Sequence, residues 1–145
     1  MRMIVVKVDT EELQKKAFAI RNEVFVVEQG VPAEAEMDEY ESMCTHFVAL
    51  DESNNPVGAA RWRRTDKGVK LERFAVKKSY RGKGVGSKLV EAVLKDIEAE
   101  WGSGIYIYLH SQLPAVPLYL KYGFEKEGGQ FSECDILHYK MHRKS

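Results

Sequence analysis

The sequence predicts an α/β (α+β) protein with a mixed, mostly antiparallel sheet of about six to seven strands flanked by helices. Short segments with alternating apolar residues follow one another through tight turns, and a long helical stripe of apolar residues lies between them. The chain of 145 residues is 44% hydrophobic and 30% charged, which predicts one globular domain over residues 1–145.

Turn residues divide the chain into its predicted elements. Asn54, Asn55 and Pro56 form the turn of a hairpin, and Gly123 ends a short helix. Because tight turns join consecutive strands, the sheet is predicted to be mixed rather than doubly wound. The predicted strands are residues 3–8, 45–50, 57–64, 71–76, 105–109, 124–127 and 136–141, and the predicted helices follow residues 10, 84 and 112. The apolar face of the first helix is predicted to hold Leu13, Ala17, Ile20, Val24 and Val27.

Composition bounds the classes of function. The formal net charge is +0, so nothing indicates binding to nucleic acid. No apolar run approaches the ~18 residues of a membrane span, and Lys7 and Asp9 interrupt the start too early for a signal peptide. The two cysteines, Cys44 and Cys134, have no metal-ligand spacing. We therefore expect a cytoplasmic protein without a metal, a membrane partner or a nucleic-acid partner.

A glycine-rich loop precedes the long helix. Three glycines at alternate positions (Gly82, Gly84 and Gly86) lie where a strand ends and the helix begins. A helix start offers unpaired N–H groups, and glycine allows close approach of a ligand, so the loop suits phosphate. Six basic residues and no acid lie between Arg73 and Val90. The spacing matches neither the Walker loop nor the dinucleotide fingerprint.

Two segments carry a resemblance to a known family. Arg81-x-x-Gly84-x-Gly86 resembles the acetyl-CoA loop of the GNAT superfamily of N-acetyltransferases. Residues 112–124 are similar to the GNAT segment Asn-x-x-Ala-x-x-x-Tyr-x-x-x-Gly-Phe, with Gln112 in the usual Asn place. Residues 21–29 and 133–141 resemble the ElaA-type branch, which extends the likeness to both ends of the chain.

The resemblance implies a GNAT fold and transfer of acetyl from acetyl-CoA to a primary amine, directly in a ternary complex. It places the pyrophosphate on the loop amides and the pantetheine arm along the free edge of the strand before the loop. The residues thus assigned to the cofactor are Phe74, Ala75, Val76, Arg81, Gly82, Lys83, Gly84, Val85, Gly86, Ser87, Gln112 and Tyr119.

Three residues are candidates for proton transfer. Tyr119 is predicted to protonate the leaving thiolate, since a phenol of pKa ~10 keeps its proton at neutral pH; packing beside the sulfur is the alternative. The amine needs a base because only ~0.1% of an alkylamine is neutral at pH 7. Glu72, which would share the face of Val76 in an extended strand, and His110 are both candidates, directly or through water.

The identity of the acceptor is left open by the sequence. Residues 28–44 hold six acids and no base, which would attract a small cationic amine if the acids are free. A protein lysine or N-terminal acetyltransferase and a non-catalytic acyl-CoA-binding module are the alternatives. The superfamily includes monomers and homodimers, and either state is expected here.

Overall fold

A seven-stranded sheet forms the centre of the molecule in a computed structural model that describes residues 2–145. Its strand order is β1-β2-β3-β4-β5-β7-β6, and every neighbouring pair is antiparallel except β4 and β5. The predicted fold class is confirmed. The strands are β1 (Met3–Lys7), β2 (Thr45–Asp51), β3 (Pro56–Arg64), β4 (Val69–Val76), β5 (Tyr106–Gln112), β6 (Glu125–Glu133) and β7 (Ile136–Lys144).

Helices cover both faces of the sheet. The buried stripe of α3, which includes Leu89, Val93 and Ile97, packs on one face, and Ala17 and Ile20 of α1 pack on the other. One apolar cluster thus lies on each face of the sheet, and together they bury its central strands. The helices are α1 (Glu11–Arg21), a π-helix (Asn22–Glu28), α2 (Ala33–Glu36), α3 (Val85–Trp101) and α4 (Val116–Lys121), with 3₁₀ turns at Lys78–Tyr80 and Leu113–Ala115. No helix among residues 2–145 is long and apolar enough to cross a membrane.

The parallel strands β4 and β5 pair over only a short length. The pairing joins residues 69–71 of β4 to residues 107–109 of β5. Beyond it, β4 stays with β3 and β5 stays with β7, so the two strands diverge. The divergence leaves one edge of residues 72–76 without a partner strand in the described range 2–145, and this edge borders a cleft.

A β-bulge in β4 changes the faces of the sheet near the cleft. Ala59 pairs with Ala75 but Arg61 pairs with Glu72, so β4 holds one extra residue between them. Arg73 lies in this bulge with φ +58°. The prediction that Glu72 shares a face with Val76 is therefore wrong, because the bulge breaks the two-residue alternation of side chains.

The first helix also departs from its prediction. After Arg21 the chain continues as a π-helix through Glu28. Its wider turn changes the angle between successive side chains, so Val24 is buried whereas Val27 is 72% exposed. The prediction that Val27 continues the apolar face is wrong for this reason.

The last two strands are longer than their apolar patterns indicated. They form a hairpin whose two turn residues, Cys134 and Asp135, have φ +49° and +62°. Positive φ at both central positions is the geometry of a tight two-residue hairpin turn. The hairpin brings the end of β6 back toward the cleft.

Candidate active site

The cleft between β4 and β5 opens into a cavity of about 610 Å³. Its walls come from the π-helix and α2 on one side and from the β6–β7 hairpin on the other. Of the predicted cofactor residues, those lining the cavity are Phe74, Ala75, Val76, Arg81, Gly86, Gln112 and Tyr119. The others (Gly82, Lys83, Gly84, Val85 and Ser87) form the adjoining loop and the start of α3. The structure thus brings the predicted cofactor residues together along the cavity and the loop beside it.

The start of α3 exposes its backbone. Gly84 precedes the helix with φ +85°, a left-handed conformation, and no side chain among residues 2–145 caps the helix. The N–H groups of residues 85–87 have no partner within the helix, because its first turn offers no acceptor. A Cβ on Gly86 would lie 3.1 Å from Leu118 Cδ2, in the wall of the cavity. Both features suit an anionic group that approaches the backbone closely.

Arg81 joins the glycine loop to the π-helix. Its Nη1 and Nη2 donate to the two carboxylate oxygens of Glu28 at 2.6 and 2.7 Å, and its Nε donates to the carbonyl of Val76 at 3.0 Å. The hydrogen bond from Arg81 lowers the pKa of Glu28. Arg81 is therefore held in place, and the charge of Glu28 is compensated.

A second bridge crosses the cleft beside the first. The side-chain amides of Gln29 and Gln112 exchange hydrogen bonds of 2.9 and 3.2 Å. Gln29 ends the π-helix and Gln112 ends β5, so the pair spans the gap where β4 and β5 diverge. The sequence motifs assigned no role to Gln29, since its partner Gln112 lies 83 residues away in the sequence.

Tyr119 is a buried residue that lines the cavity. The residue is 5% exposed, and its ring packs edge-on against Phe74 and Phe124 with centroids 6.0 and 5.8 Å apart. Burial raises the pKa of Tyr119 well above its ordinary value. No residue within 2–145 forms a hydrogen bond with the hydroxyl, whereas the hydroxyl of Tyr122 donates to Glu91. Tyr119 is thus the tyrosine with a proton available inside the cavity.

Glu72 is held by cations. Its carboxylate is 8% exposed and contacts Arg61 at 3.0 Å, Arg63 at 2.9 Å and Lys70 at 3.2 Å. Burial by itself raises the pKa of Glu72, but the hydrogen bond from Arg63 and the charges of Arg61 and Lys70 bring it below its ordinary value. A carboxylate stabilised in this way is a weak proton acceptor.

His110 lies on β5 and contacts the β6–β7 hairpin. Its Nδ1 is 3.2 Å from Glu133 Oε2, and its ring packs edge-on against Phe131 with centroids 5.0 Å apart. His110, Glu133 and Cys134 all line the cavity. Of the two candidate bases, Glu72 is surrounded by three cations, whereas the imidazole of His110 contacts a carboxylate.

Arginines from other elements neutralise much of the acidic segment. Burial by itself raises the pKa values of Asp38 and Glu41, but hydrogen bonds and charges, chiefly from Arg61 and Arg21 respectively, bring both to about 2. The condition that the acids be free therefore fails for four of the six. The pairs besides Glu28–Arg81 are Glu36 with Arg21 and Arg73, Asp38 with Arg61 and Arg73, and Glu41 with Arg21 and Arg61. Only Glu34 and Glu39 of the six acids form no ion pair with a residue in the range 2–145.

Known proteins share this architecture. A family model for the acetyltransferase (GNAT) domain matches residues 8–145. The uncharacterized N-acetyltransferase YjcF of Bacillus subtilis is 44% identical over 145 residues, which cover 97% of this chain and 98% of YjcF. The crystal structure of Escherichia coli ElaA has a TM-score of 0.84 at 22% identity and covers 98% of each chain. An aminoglycoside 6'-N-acetyltransferase complexed with coenzyme A has a TM-score of 0.74 at 16% identity and covers 97% of this chain and 96% of its own.

The two structural likenesses confirm the fold, and the family model and YjcF cover nearly all of the sequence. The chain therefore belongs to the GNAT acetyltransferase family and is an acetyl-CoA-dependent N-acetyltransferase.

Proposed function

We propose that the protein transfers the acetyl group of acetyl-CoA directly to a primary amine of a small molecule, with both substrates bound in the cavity together. The observation that carries this proposal is the continuity of the cavity. Gly86 beside the glycine loop, Tyr119, His110 and the β6–β7 hairpin all line this one cavity. Two substrates bound in it together would exchange the acetyl group without a covalent intermediate on the protein.

The residues present fit acetyl-CoA. The unpaired amides at the start of α3 suit its pyrophosphate, and the free edge of β4 at residues 74–76 suits the amides of its pantetheine arm. The unpartnered hydroxyl of Tyr119 offers a donor near the divergence of β4 and β5. When bound, acetyl-CoA supplies an activated acyl group. The aminoglycoside acetyltransferase of the same fold is complexed with coenzyme A, which supports this assignment.

Two side chains of the protein would move protons. Tyr119 keeps its proton on the phenolic oxygen at neutral pH, because burial raises its pKa, and would donate it to the thiolate leaving group. His110 would accept a proton from the acceptor ammonium on its Nε2 atom, since Nδ1 is occupied by Glu133. Deprotonating an alkylammonium of pKa ~10 at pH 7 costs about 4 kcal/mol without such help.

The walls of the cavity favour a small acceptor. The bridges Glu28–Arg81 and Gln29–Gln112 tie the π-helix across the cleft, which restricts entry from that side. The cavity of about 610 Å³ would have to hold the acetyl-bearing end of acetyl-CoA as well as the acceptor, which limits the size of the acceptor. The compensated acidic segment gives no reason to require a polycationic acceptor, so neutral and zwitterionic amines belong in the search.

The test is amine-dependent release of CoA thiol from acetyl-CoA, measured for small amines and for peptides that carry lysine or a free N-terminus. We expect small amines to give the higher kcat/KM, and His110→Gln to lower kcat without weakening acetyl-CoA binding. Better turnover of peptides would contradict the small-molecule proposal and favour a protein acetyltransferase. Full activity in His110→Gln would remove His110 from the mechanism.

A further inference from the structure

The hairpin of β6 and β7 carries a carboxylate to His110. Glu133 is the last residue of β6 and pairs with Ile136 across the turn, so the backbone on both sides of it is fixed. Strand β7 lies between β6 and β5 in the sheet, and the side chain of Glu133 reaches over it to His110 on β5. The two residues are 23 positions apart in the sequence, and the fold brings them together at the cavity wall.

The contact between Nδ1 and the carboxylate determines which nitrogen of His110 holds the proton. An ionised carboxylate only accepts hydrogen bonds, so a neutral imidazole must carry its proton on Nδ1 to bond with Glu133. The hydrogen bond from His110 lowers the pKa of Glu133, and the nearby charges of His138 and Lys70 act in the same direction. Nε2 is then left with a free lone pair, which is the form a base requires.

Neighbouring aromatic packing fixes the ring in this orientation. Phe131 packs edge-on against His110 at 5.0 Å and stacks on His138 at 5.8 Å. His138 donates its Nδ1 to the carbonyl of Ile136 at 2.7 Å, and its Nε2 lies 3.9 Å from Glu133 Oε1, beyond hydrogen-bond distance. Glu133 therefore forms its hydrogen bond with His110 rather than with the second histidine.

We infer that Glu133 is a positioning residue of the acetyltransferase: it holds His110 in the tautomer protonated at Nδ1, so that Nε2 accepts the proton from the acceptor amine. The inference rests on the proposed function, in which His110 is the base. In the transfer, an N–H bond of the ammonium breaks and an Nε2–H bond forms. The resulting imidazolium is stabilised by the Glu133 carboxylate, which stays ionised throughout.

The tautomer can be measured without any substrate. Two-dimensional ¹⁵N–¹H spectra of the imidazole side chains distinguish Nδ1–H from Nε2–H rings in the free protein. Wild type should show His110 as the Nδ1–H form, and Glu133→Ala should shift it toward the Nε2–H form. Glu133→Gln keeps the size of the side chain and an oxygen that accepts from Nδ1–H, so it should retain the wild-type tautomer. Glu133→Leu keeps much of the bulk without an acceptor and serves as a second variant in case the alanine change disturbs the hairpin. An unchanged His110 tautomer in both Glu133→Ala and Glu133→Leu would overturn the inference.

Kinetics then separate this inference from the proposed function. Glu133→Ala should lower kcat by about ten- to hundred-fold with acetyl-CoA affinity unchanged, and Glu133→Gln should recover part of the loss. The double variant with His110→Gln should be no slower than His110→Gln alone, because Glu133 acts through the histidine. Additive losses in the double variant would contradict the inference while leaving His110 as the base. An unimpaired His110→Gln variant would instead contradict the proposed function.

The same strand supplies a matched control. Glu127 on β6 also faces an imidazole, with its Oε1 3.3 Å from Nδ1 of His142, and it pairs with Lys140. Neither Glu127 nor His142 lines the cavity of the proposed site. Glu127→Gln should therefore leave both the His110 tautomer and kcat unchanged. A loss of kcat equal to that of Glu133→Gln would mean that any loosening of β6 slows the enzyme.

Discussion

Replacing Tyr119 by phenylalanine should remove a proton donor without harming the fold. The ring would keep its edge-on contacts with Phe74 and Phe124, and the lost hydroxyl forms no hydrogen bond with any residue in the range 2–145. Removing a hydroxyl that has no protein partner costs little. We therefore expect the free energy of unfolding to change by less than about 0.5 kcal/mol.

The catalytic effect should be much larger. General acid catalysis contributes about 10²- to 10⁴-fold, which corresponds to about 3–5 kcal/mol of activation free energy. Because burial raises the pKa of Tyr119, its proton is present throughout the neutral range, so the loss should be the same at pH 6 and pH 8. The assay is release of CoA thiol at saturating amine, with acetyl-CoA affinity measured by calorimetry.

A neighbouring tyrosine provides the control. The hydroxyl of Tyr122 donates to Glu91 outside the cavity, so Tyr122→Phe should keep nearly full kcat. An unchanged kcat in Tyr119→Phe would assign that residue to packing and leave protonation of the thiolate to water. A parallel loss of acetyl-CoA affinity would refute the view that its hydroxyl acts chiefly in the transition state.

Three further predictions follow from the loop and the acidic segment. Gly86→Val should weaken acetyl-CoA binding by about 100-fold in calorimetry, because the added methyls fill the cavity wall; wild-type affinity would contradict this. Asp38 and Glu41 have folded-state pKa values of about 2, below their unfolded values, so each stabilises the fold above about pH 4 and loses that contribution as the pH falls toward 2. In urea unfolding, the free energy of unfolding of the wild type should fall by about 2 kcal/mol per carboxylate between pH 5 and pH 2. The double variant Asp38→Asn/Glu41→Gln should lack this fall, and the same pH dependence in both proteins would refute the prediction. Glu34→Gln/Glu39→Gln should leave the KM of a cationic amine within about two-fold at low salt, and a large rise would restore the electrostatic role of the segment.

The local patterns in the sequence predicted much of the fold. Alternation of apolar residues marked the strands, and the stripe from Val85 to Ile97 marked α3, because both patterns depend on neighbours in the chain. The glycine loop was predicted by its spacing, since its backbone conformation requires glycine at Gly84.

The features that the sequence did not show depend on distant partners. Arg73 has a positive φ in the bulge, and its guanidinium bonds to Glu36 and Asp38, which are 37 and 35 residues away. The sequence did not show which acids of residues 28–41 are paired, because the arginines that pair with them lie on α1, β3, β4 and the glycine loop. The contact of Glu133 with His110 required the order β5-β7-β6, which no local pattern predicts.

The binding of acetyl-CoA at the start of α3 is tested most directly by amide chemical shifts. Titrating acetyl-CoA into ¹⁵N-labelled protein should move the backbone N–H signals of residues 82–87 most strongly, together with those of residues 74–76 on the free edge of β4. The amides of the β1–β2 edge, far from the cleft, should stay in place. Saturable shifts that leave residues 82–87 unmoved would contradict the placement of the cofactor on which the account depends.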